Sequence, residues 1–450
     1  MALSGIQIYK LLPHTNCKEC GFPTCLAFAM KLAAKQVELS ACPYVTPESK
    51  AQLAESAAPP IRLVSLKADG HEAKAGNEVV LYRHEKTFYN RPGLFVKVSD
   101  SLEIEALKSQ VSLANAFAVN YVGIELSLDG FAVESTSSDP LKFAAAVQAI
   151  RQVTKLPLIL INRTPGVLAE GLKHLAGENP LLYAADSANW EAMADLAKTS
   201  SASLVVAASS LDELADLTEK IKARDVENLV LHPEAKTLGQ ELVLNTQIRR
   251  LAVKKNFRPL GFPTLAFPKT PSAAVQAITK TPSAAVQAIT KYAGFIVLDQ
   301  FTPELVYPLL VLRQNIYTDP QKPIQVQPGL YEINTPRPED PVLVTTNFSI
   351  TYFSVANEVE GSGLPAWLLV TDAEGMSVLT AWAAGKFDAE RIAKSVRSFN
   401  VAEKVSRKRL VIPGHVAVLS GELEEELPGW EIRVGPREAV DIPAFMKMAL

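Results

Sequence analysis

The chain has 450 residues, of which 48% are apolar and 21% charged, enough for two or three domains with substantial cores. Its 45 basic and 48 acidic side chains leave a formal net charge of −3, so there is no basic excess of the kind that attracts nucleic acid or an anionic membrane. No apolar run approaches the ~20 residues of a membrane span, and the start carries neither a basic n-region nor a long apolar h-region. A cytoplasmic protein is expected.

The first 58 residues hold all four cysteines, Cys17, Cys20, Cys25 and Cys42. Four cysteines scattered at random would all fall within the first 42 residues, as these do, in about one chain in ten thousand, so the cluster reads as a site. Disulfides are rare in a reducing compartment, which tilts such spacing toward metal or redox chemistry. The spacing is C-x2-C-x4-C-x16-C, with Gly21 and Pro23 to tighten the loop and Pro43 after the last cysteine. A loop of this kind can wrap a cubane iron–sulfur cluster. A structural zinc site also takes four thiolates but normally presents two matched knuckles. Only one C-x2-C occurs here, which favours the cluster over zinc or unliganded thiols. His14 is read as a surface residue. A helix is expected over Thr24–Leu39, followed by an Ala- and Pro-rich linker at 51–60.

Residues 61–318 alternate short apolar runs with helical patterns. The runs are Glu78–Lys86, Tyr121–Asp129, Leu156–Arg163, Pro180–Asp186, Ala202–Ser209, Asn228–Glu234, Leu260–Phe267 and Phe295–Asp299. Helical patterns include Ser101–Ala118, Pro140–Val153, Leu211–Ala223 and Pro303–Tyr317. Runs without alternation suit parallel strands buried on both faces, and eight such units predict a (β/α)8 TIM barrel. A doubly wound open sheet is the alternative. Ile61–Lys67 and Leu94–Ser99 are further strand-like pieces that leave the register open. Glu85, Asp129, Asn162, Arg163, Asp186, His232, Glu234 and Asp299 fall near predicted strand ends, where barrel enzymes place their chemistry. Strand ends turn polar in any barrel, however, and no pair has diagnostic spacing. The segment KTPSAAVQAIT occurs at 269–279 and again, letter for letter, at 280–290. Two copies do not make a repeat architecture.

Six prolines between 319 and 342 suggest a semi-rigid linker. Beyond it, strands are expected at Val342–Thr346, Trp367–Asp372, Arg409–Pro413 and Trp430–Val434. Helices between them predict a small, mostly parallel, Rossmann-like α/β domain over 343–450. The overall expectation is therefore an α/β chain in three parts: a 1–58 cluster domain, a 61–318 barrel and a 343–450 domain. Ligands of open α/β sheets sit at the carboxyl ends of the strands. Those ends here are TTNFS at 345–349, TDAEGMSVLT at 371–380, PGH at 413–415 and GPREA at 435–439. No G-x-G-x-x-G or Walker A motif is present, which disfavours a dinucleotide or nucleoside triphosphate. The one D-x-H, Asp69–His71, lies outside this domain and has Lys74 where a cobalamin-binding motif has glycine. Lys404, Arg407, Lys408 and Arg409 read as a solvated face.

Taken together, NCKECGFPTCL with Cys42-Pro43, TTNFSITYFSVANEVE, LLVTDAEGMSVLTAWAAGKF and GWEIRVGPREA carry a specific resemblance. Over essentially its full length the chain resembles the large (gamma) subunits of the corrinoid iron–sulfur proteins of the reductive acetyl-CoA (Wood–Ljungdahl) pathway. Only the perfect repeat departs from that pattern. The resemblance implies a 4Fe-4S cluster on Cys17, Cys20, Cys25 and Cys42. It also implies a base-off corrinoid held at Thr346, Met376, Ser377, Val378, Leu379, Thr380, Gly435, Pro436, Arg437, Glu438 and Ala439. The implied partners are a small corrinoid iron–sulfur subunit, a methyltetrahydrofolate methyltransferase and CO dehydrogenase/acetyl-CoA synthase. The implied role is a carrier that passes a methyl group from the methyltransferase to the synthase, its cluster returning oxidised cobalt to Co(I). Other classes are an iron–sulfur electron-transfer protein and a folate-binding methyltransferase without its own corrinoid.

Overall fold

The structure, a computed structural model, describes residues 5–33, 36–50, 53, 58–88, 90–121, 124–268, 277–318 and 324–449. The chain divides into two compact units, Met1–Phe117 with Ser127–Tyr317, and Ala118–Leu126 with Thr318–Leu450. Among the described residues no helix is long and apolar enough to cross a membrane.

The first unit is built on a closed eight-stranded parallel barrel. Among the described residues, seventeen strands, β1 to β17, run through the two units. In the first, β1 (Val64–Ala68) and β2 (His71–Ala75) form a hairpin, and the barrel consists of β3 (Gly93–Ser99), β6 (Gly130–Glu134), β7 (Leu158–Ile161), β8 (Leu181–Ala185), β9 (Ser203–Ala208), β10 (Leu229–Pro233), β11 (Thr264–Ala266) and β12 (Ala293–Leu298). Strands β9 and β12 are buried at every position, as expected where helices cover the outside and side chains fill the inside. Phe95, Ala132, Ile159, Val205, Val230 and Phe295 meet in the interior. The Phe95 and Phe295 rings pack edge to face at 6.0 Å. Val64, Leu66, Ala73 and Ala75 of the β1–β2 hairpin join the same core, so the hairpin plugs the barrel. Asp69 and Gly70 occupy its tip with φ of 37° and 83°; the D-x-H sequence is a hairpin turn.

Helix starts follow local chemistry. Asp139 accepts from the Leu141 and Lys142 amides before Pro140–Val153, and Ser210 accepts from the Glu213 amide before Leu211–Lys222, each cap satisfying otherwise orphaned donors. The helix Ala277–Thr290 contains the second copy of the repeat; residues 269–276 of the first lie outside the described residues.

Two expected barrel strands are corrected. Glu78–Lys86 forms no strand: Glu78 turns inward to the buried Arg249 at 3.3 Å, and Glu85 accepts from the Leu81 and Tyr82 amides in a turn. Its place is taken by β3. The run Tyr121–Asp129 is interrupted; Ala118–Tyr121 (β4) and Ile124–Ser127 (β5) pair with each other and group largely with the second unit. The barrel strand is the following one, β6. Residues 1–58, expected as a domain of their own, group with the barrel, although they retain an apolar core of Ile8, Leu12, Phe28, Ala29 and Val45.

Arg313 is the largest fully buried side chain among the described residues. It donates to the Pro92 carbonyl at 2.9 Å and pairs with Asp129, whose carboxylate also receives the Leu94 amide at 2.8 Å. Asp129 thus serves the start of the barrel strands rather than their chemistry-bearing ends. Removing one partner of a buried pair costs about 3–5 kcal/mol. Arg313→Met is expected to lower barrel stability by that order, read as an earlier midpoint of its urea transition, with the second unit's transition unmoved.

The second unit contains a five-stranded sheet in the order β13-β15-β14-β16-β17. Its strands are β13 (Gly329–Ile333), β14 (Val342–Thr346), β15 (Ala366–Thr371), β16 (Arg409–Ile412) and β17 (Glu431–Val434). All are parallel except the edge strand β13. Alternate residues serve two cores: Val342, Val344, Leu369, Leu410 and Ile412 on one face, and Leu343, Leu368, Val370 and Val411 on the other, the period-2 signature of a strand. Helix Ala389–Ser398 covers the first face, and Ser349–Ser362 with Ile442–Ala449 the second. The expected 319–342 linker is corrected in part, because β13 lies within it. Arg409 is likewise not part of a solvated face: it is buried and pairs with Glu431 at 2.9 Å.

Candidate functional site

The chain leaves β14 toward β15 on one side and returns to β16 on the other. Such a reversal opens a crevice beyond the carboxyl ends of the strands. A cavity of about 350 Å³ lies there. Leu343, Val344 and Thr345 of β14, Val411 and Ile412 of β16, and Ile350, Val355, Ile442 and Phe445 of the covering helices give it largely apolar walls. Its rim comes from two loops, Ser377–Leu379 after β15 and Gly435–Ala439 after β17.

The predicted residues Ser377, Val378, Leu379, Gly435, Pro436, Arg437, Glu438 and Ala439 therefore line one cavity. Thr346, Met376 and Thr380 do not line it. Thr346 is buried at the end of β14, Met376 packs against the core, and the Thr380 hydroxyl bonds that of Ser377 at 3.0 Å. Thr345, Asn347 and His415 had not been singled out. The Thr345 and Thr346 hydroxyls are buried without a hydrogen-bond partner, which is unusual in a native interior. Asn347 is 1% exposed and holds the loop after β15. His415 lines the cavity, with Nε2 3.7 Å from Glu438 Oε1. Gly414 lets the loops after β16 and β17 touch backbone to backbone, its amide donating to the Pro436 carbonyl at 3.0 Å.

The cysteine loop forms a second centre. Asn16 and Lys18, at φ 48° and 66°, and Gly21, at 82°, curl it through the left-handed region. The Asn16 side chain accepts from the Cys25 amide at 2.8 Å, fixing the start of helix Cys25–Ala33. The chain then returns through a turn at Leu39–Ala41, so that Cys25 and Cys42 are buried in one apolar cluster with Cys20 packed at its edge. Cys17 stands on the loop beside it, near enough with Cys42 to act on the Tyr44 phenol. A hydrogen bond to Glu19 at 2.7 Å holds that phenol above its usual range. All four thiols are free. Among the described residues no three His, Cys, Asp or Glu side chains stand together as ligands of a metal ion. The donor set itself, four thiols on one loop–helix–turn unit, fits a cluster in number and chemistry. His14 is exposed and stacks on Tyr9.

At the carboxyl ends of the barrel strands the charges answer one another. Lys97 lies 3.0 Å from Asp299 and 3.1 Å from Glu134. Burial opposes its charge, but the two carboxylates outweigh that and raise its pKa. Arg163 pairs with Asp186 at 2.6 Å and with Glu234, over the Tyr183 ring. The Asn162 side chain caps the loop at the Thr164 amide, and His232 packs against Tyr183 and Phe267. Lys97 and Glu134 escaped sequence reasoning because neither β3 nor β6 was counted among the eight barrel runs, and Tyr183 because it sits inside the apolar run of β8.

Comparison with known proteins assigns the family. The model "CO dehydrogenase/acetyl-CoA synthase delta subunit" matches residues 63–446, and "Putative Fe-S cluster" matches 12–44. The corrinoid/iron-sulfur protein large subunit of Moorella thermoacetica is 45% identical, with 100% of both chains covered. The acetyl-CoA decarbonylase/synthase complex subunit gamma of Methanopyrus kandleri is 34% identical over 99% of this chain and 97% of its own. A solved dihydropteroate synthase from Thermus thermophilus aligns at 17% identity and TM-score 0.40, over 56% of this chain and 99% of its own. The chain belongs to the family of corrinoid/iron–sulfur protein large subunits and acetyl-CoA decarbonylase/synthase gamma subunits.

Proposed function

We propose that this chain is a methyl carrier of the reductive acetyl-CoA pathway, holding a corrinoid in its second unit and a 4Fe-4S cluster on Cys17, Cys20, Cys25 and Cys42. The observation that carries the reading is the cavity at the β14/β16 reversal. It is roomy, mostly apolar, and rimmed by two strand-end segments, one opening on Ser377 and the other on Gly435, that a flat macrocycle can approach. The partnerless Thr345 hydroxyl at its β14 wall suits a ligand rich in amide and ring-nitrogen groups.

A bound corrinoid supplies a cobalt that accepts a methyl group from one partner and yields it to another, and a bound cluster supplies the electron that keeps that cobalt reduced. The protein's part is to hold and shield. The Ser377–Thr380 strip would lie under one face of the ring, and Gly435–Ala439 along its edge. The apolar walls exclude water. His415, the second unit's single histidine, sits among these loops beside Glu438, and we assign it to the rim rather than to the cobalt. The partners would be a small subunit over the exposed face, a methyltetrahydrofolate methyltransferase and the acetyl-CoA synthase.

The test is an optical and EPR spectrum of the purified complex. Corrin absorption bands, a Co(II) signal without nitrogen hyperfine splitting, and four irons per chain are expected. A colourless protein would sink the carrier role, and nitrogen splitting would sink the base-off assignment.

A further inference from the structure

The two rim loops of the cavity are not held in the same way. The loop after β17 leans on the backbone of β16. The loop after β15 is tied to the end of β14 by one side chain. Asn347, at the carboxyl end of β14, accepts on Oδ1 from the Ala373 amide at 2.9 Å and the Gly375 amide at 3.0 Å. Its Nδ2 donates to Asp372 Oδ1 and Gln325 Oε1, each at 3.2 Å. Two acceptor and two donor positions are the full capacity of a side-chain amide. Such a closed buried network specifies one geometry. The turn it fixes is demanding: Glu374 and Gly375 both have positive φ, 54° and 74°. Met376 and Ser377 follow at once and lead into the rim strip.

Resting on the corrinoid reading of the cavity, we propose that Asn347 is the positioning residue for the lower-face strip, setting the height of Met376–Thr380 against the ring through the Asp372–Gly375 turn. It touches no ligand itself. Its chemistry is specific, because neither an aspartate nor an alanine can both accept from two amides and donate to two oxygens. Asn347→Asp keeps the shape and both acceptances but sets a carboxylate against Asp372 with no donor between them. Asp372→Asn in the same chain removes the like charge. Asp372 Oδ1 receives both the Asn347 amino group at 3.2 Å and the Glu374 amide at 3.0 Å, so the new side chain keeps its oxygen for the Glu374 amide and relieves the repulsion without replacing the lost bond. Gln325 can turn its amide to donate to the carboxylate introduced at 347.

The experiment uses the full chain co-expressed with its small subunit, freed of corrinoid and titrated with aquocobalamin. The wild type must bind; if it does not, the carrier reading fails and the positioning role falls with it. Asn347→Asp is expected to bind about tenfold more weakly, the order expected when two buried hydrogen bonds are lost. The corrinoid that does bind should show a shifted Co(II) EPR spectrum. The double variant Asn347→Asp/Asp372→Asn is expected to recover part of both affinity and spectrum. Gly375→Ala strains the same turn from its other side, at φ 74° and with a Cβ 2.7 Å from Gln325 atoms, and should weaken binding while Asn347 stays intact. Wild-type binding and spectrum in Asn347→Asp would overturn the proposal. So would failure of Asp372→Asn to rescue, or an unaffected Gly375→Ala. Circular dichroism of each variant separates these outcomes from unfolding.

Discussion

If the proposed carrier role holds, Cys20→Ala is expected to separate methyl transfer from reductive reactivation. Protein reduced beforehand by a strong chemical reductant should complete one round of methyl transfer with wild-type amplitude. After oxidation to Co(II), physiological electron donors should fail to restore it, so that turnover stops after few cycles. The choice of residue follows from burial. Cys25 and Cys42 belong to the apolar core of the N-terminal segment, at 6% and 4% exposure, and truncating either opens a hole among Ile8, Phe28 and Val45. Cys20 is half-buried at the edge of that core, so its loss removes a thiolate with less damage to packing. Iron content should fall and the cluster's EPR signal vanish or change type, while the corrin bands remain. Equal loss of preformed-state transfer and reactivation in a folded protein would make the cluster a structural element instead.

How far the sequence foretold this architecture can be judged element by element. Strands β7 to β12 lie where apolar runs bounded by turn residues placed them, because strands buried on both faces admit no polar position. The same rule misled at the start of the barrel. The plug hairpin shows only alternate apolar positions, VSLKA and HEAKA, since only Leu66, Ala73 and their like pack on the barrel interior. Burial, not barrel membership, is what the pattern reports. The β4–β5 pair broke the register again, since the run Tyr121–Asp129 cannot announce that its β5 pairs with the segment just before it rather than with a barrel strand. Strand β13 hid among prolines, yet Pro323 and Pro328 precede it and Pro336 follows. An edge strand tolerates such neighbours. In the site, the segments 371–380 and 435–439 were legible as polar, glycine-containing strand ends, while the choice of 377–379 within the first came from the resemblance. Thr345 and Asn347 were not, since a threonine or asparagine at a strand end is commonplace. Only the unused hydroxyl of one and the fully used amide of the other distinguish them, and both are facts of three-dimensional neighbourhood.

Gly414→Val is expected to cost the cavity its ligand while leaving the sheet folded. Gly414 is not held by a left-handed backbone, so the reason is space alone. A Cβ there would stand 2.6 Å from the Gly435 carbonyl oxygen, 2.9 Å from the Pro436 carbonyl carbon and 3.0 Å from the Arg437 amide nitrogen. All three are backbone atoms of the rim loop, and none can swing aside as a side-chain tip would. The loop must move bodily, breaking the hydrogen bond from the Gly414 amide to the Pro436 carbonyl. The neighbouring bond from the Gly435 amide to the Ile412 carbonyl at 2.8 Å resists that movement from within the sheet. The displacement therefore falls on Pro436–Ala439, the residues that border the cavity. A shift of about 1 Å in a positioned site costs on the order of a hundredfold, so methyl transfer and corrinoid retention should both drop by about that factor. The strands beneath are anchored by Leu410, Ile412 and Val416 in the core, so far-UV circular dichroism should be unchanged. Gly421, where a Cβ meets nothing within 4 Å, provides the control: Gly421→Ala should retain corrinoid at the wild-type level. If Gly414→Val also did so, the loop after β17 would have no part in holding the ligand, and the cavity's binding face would have to be sought along β14 and the loop after β15.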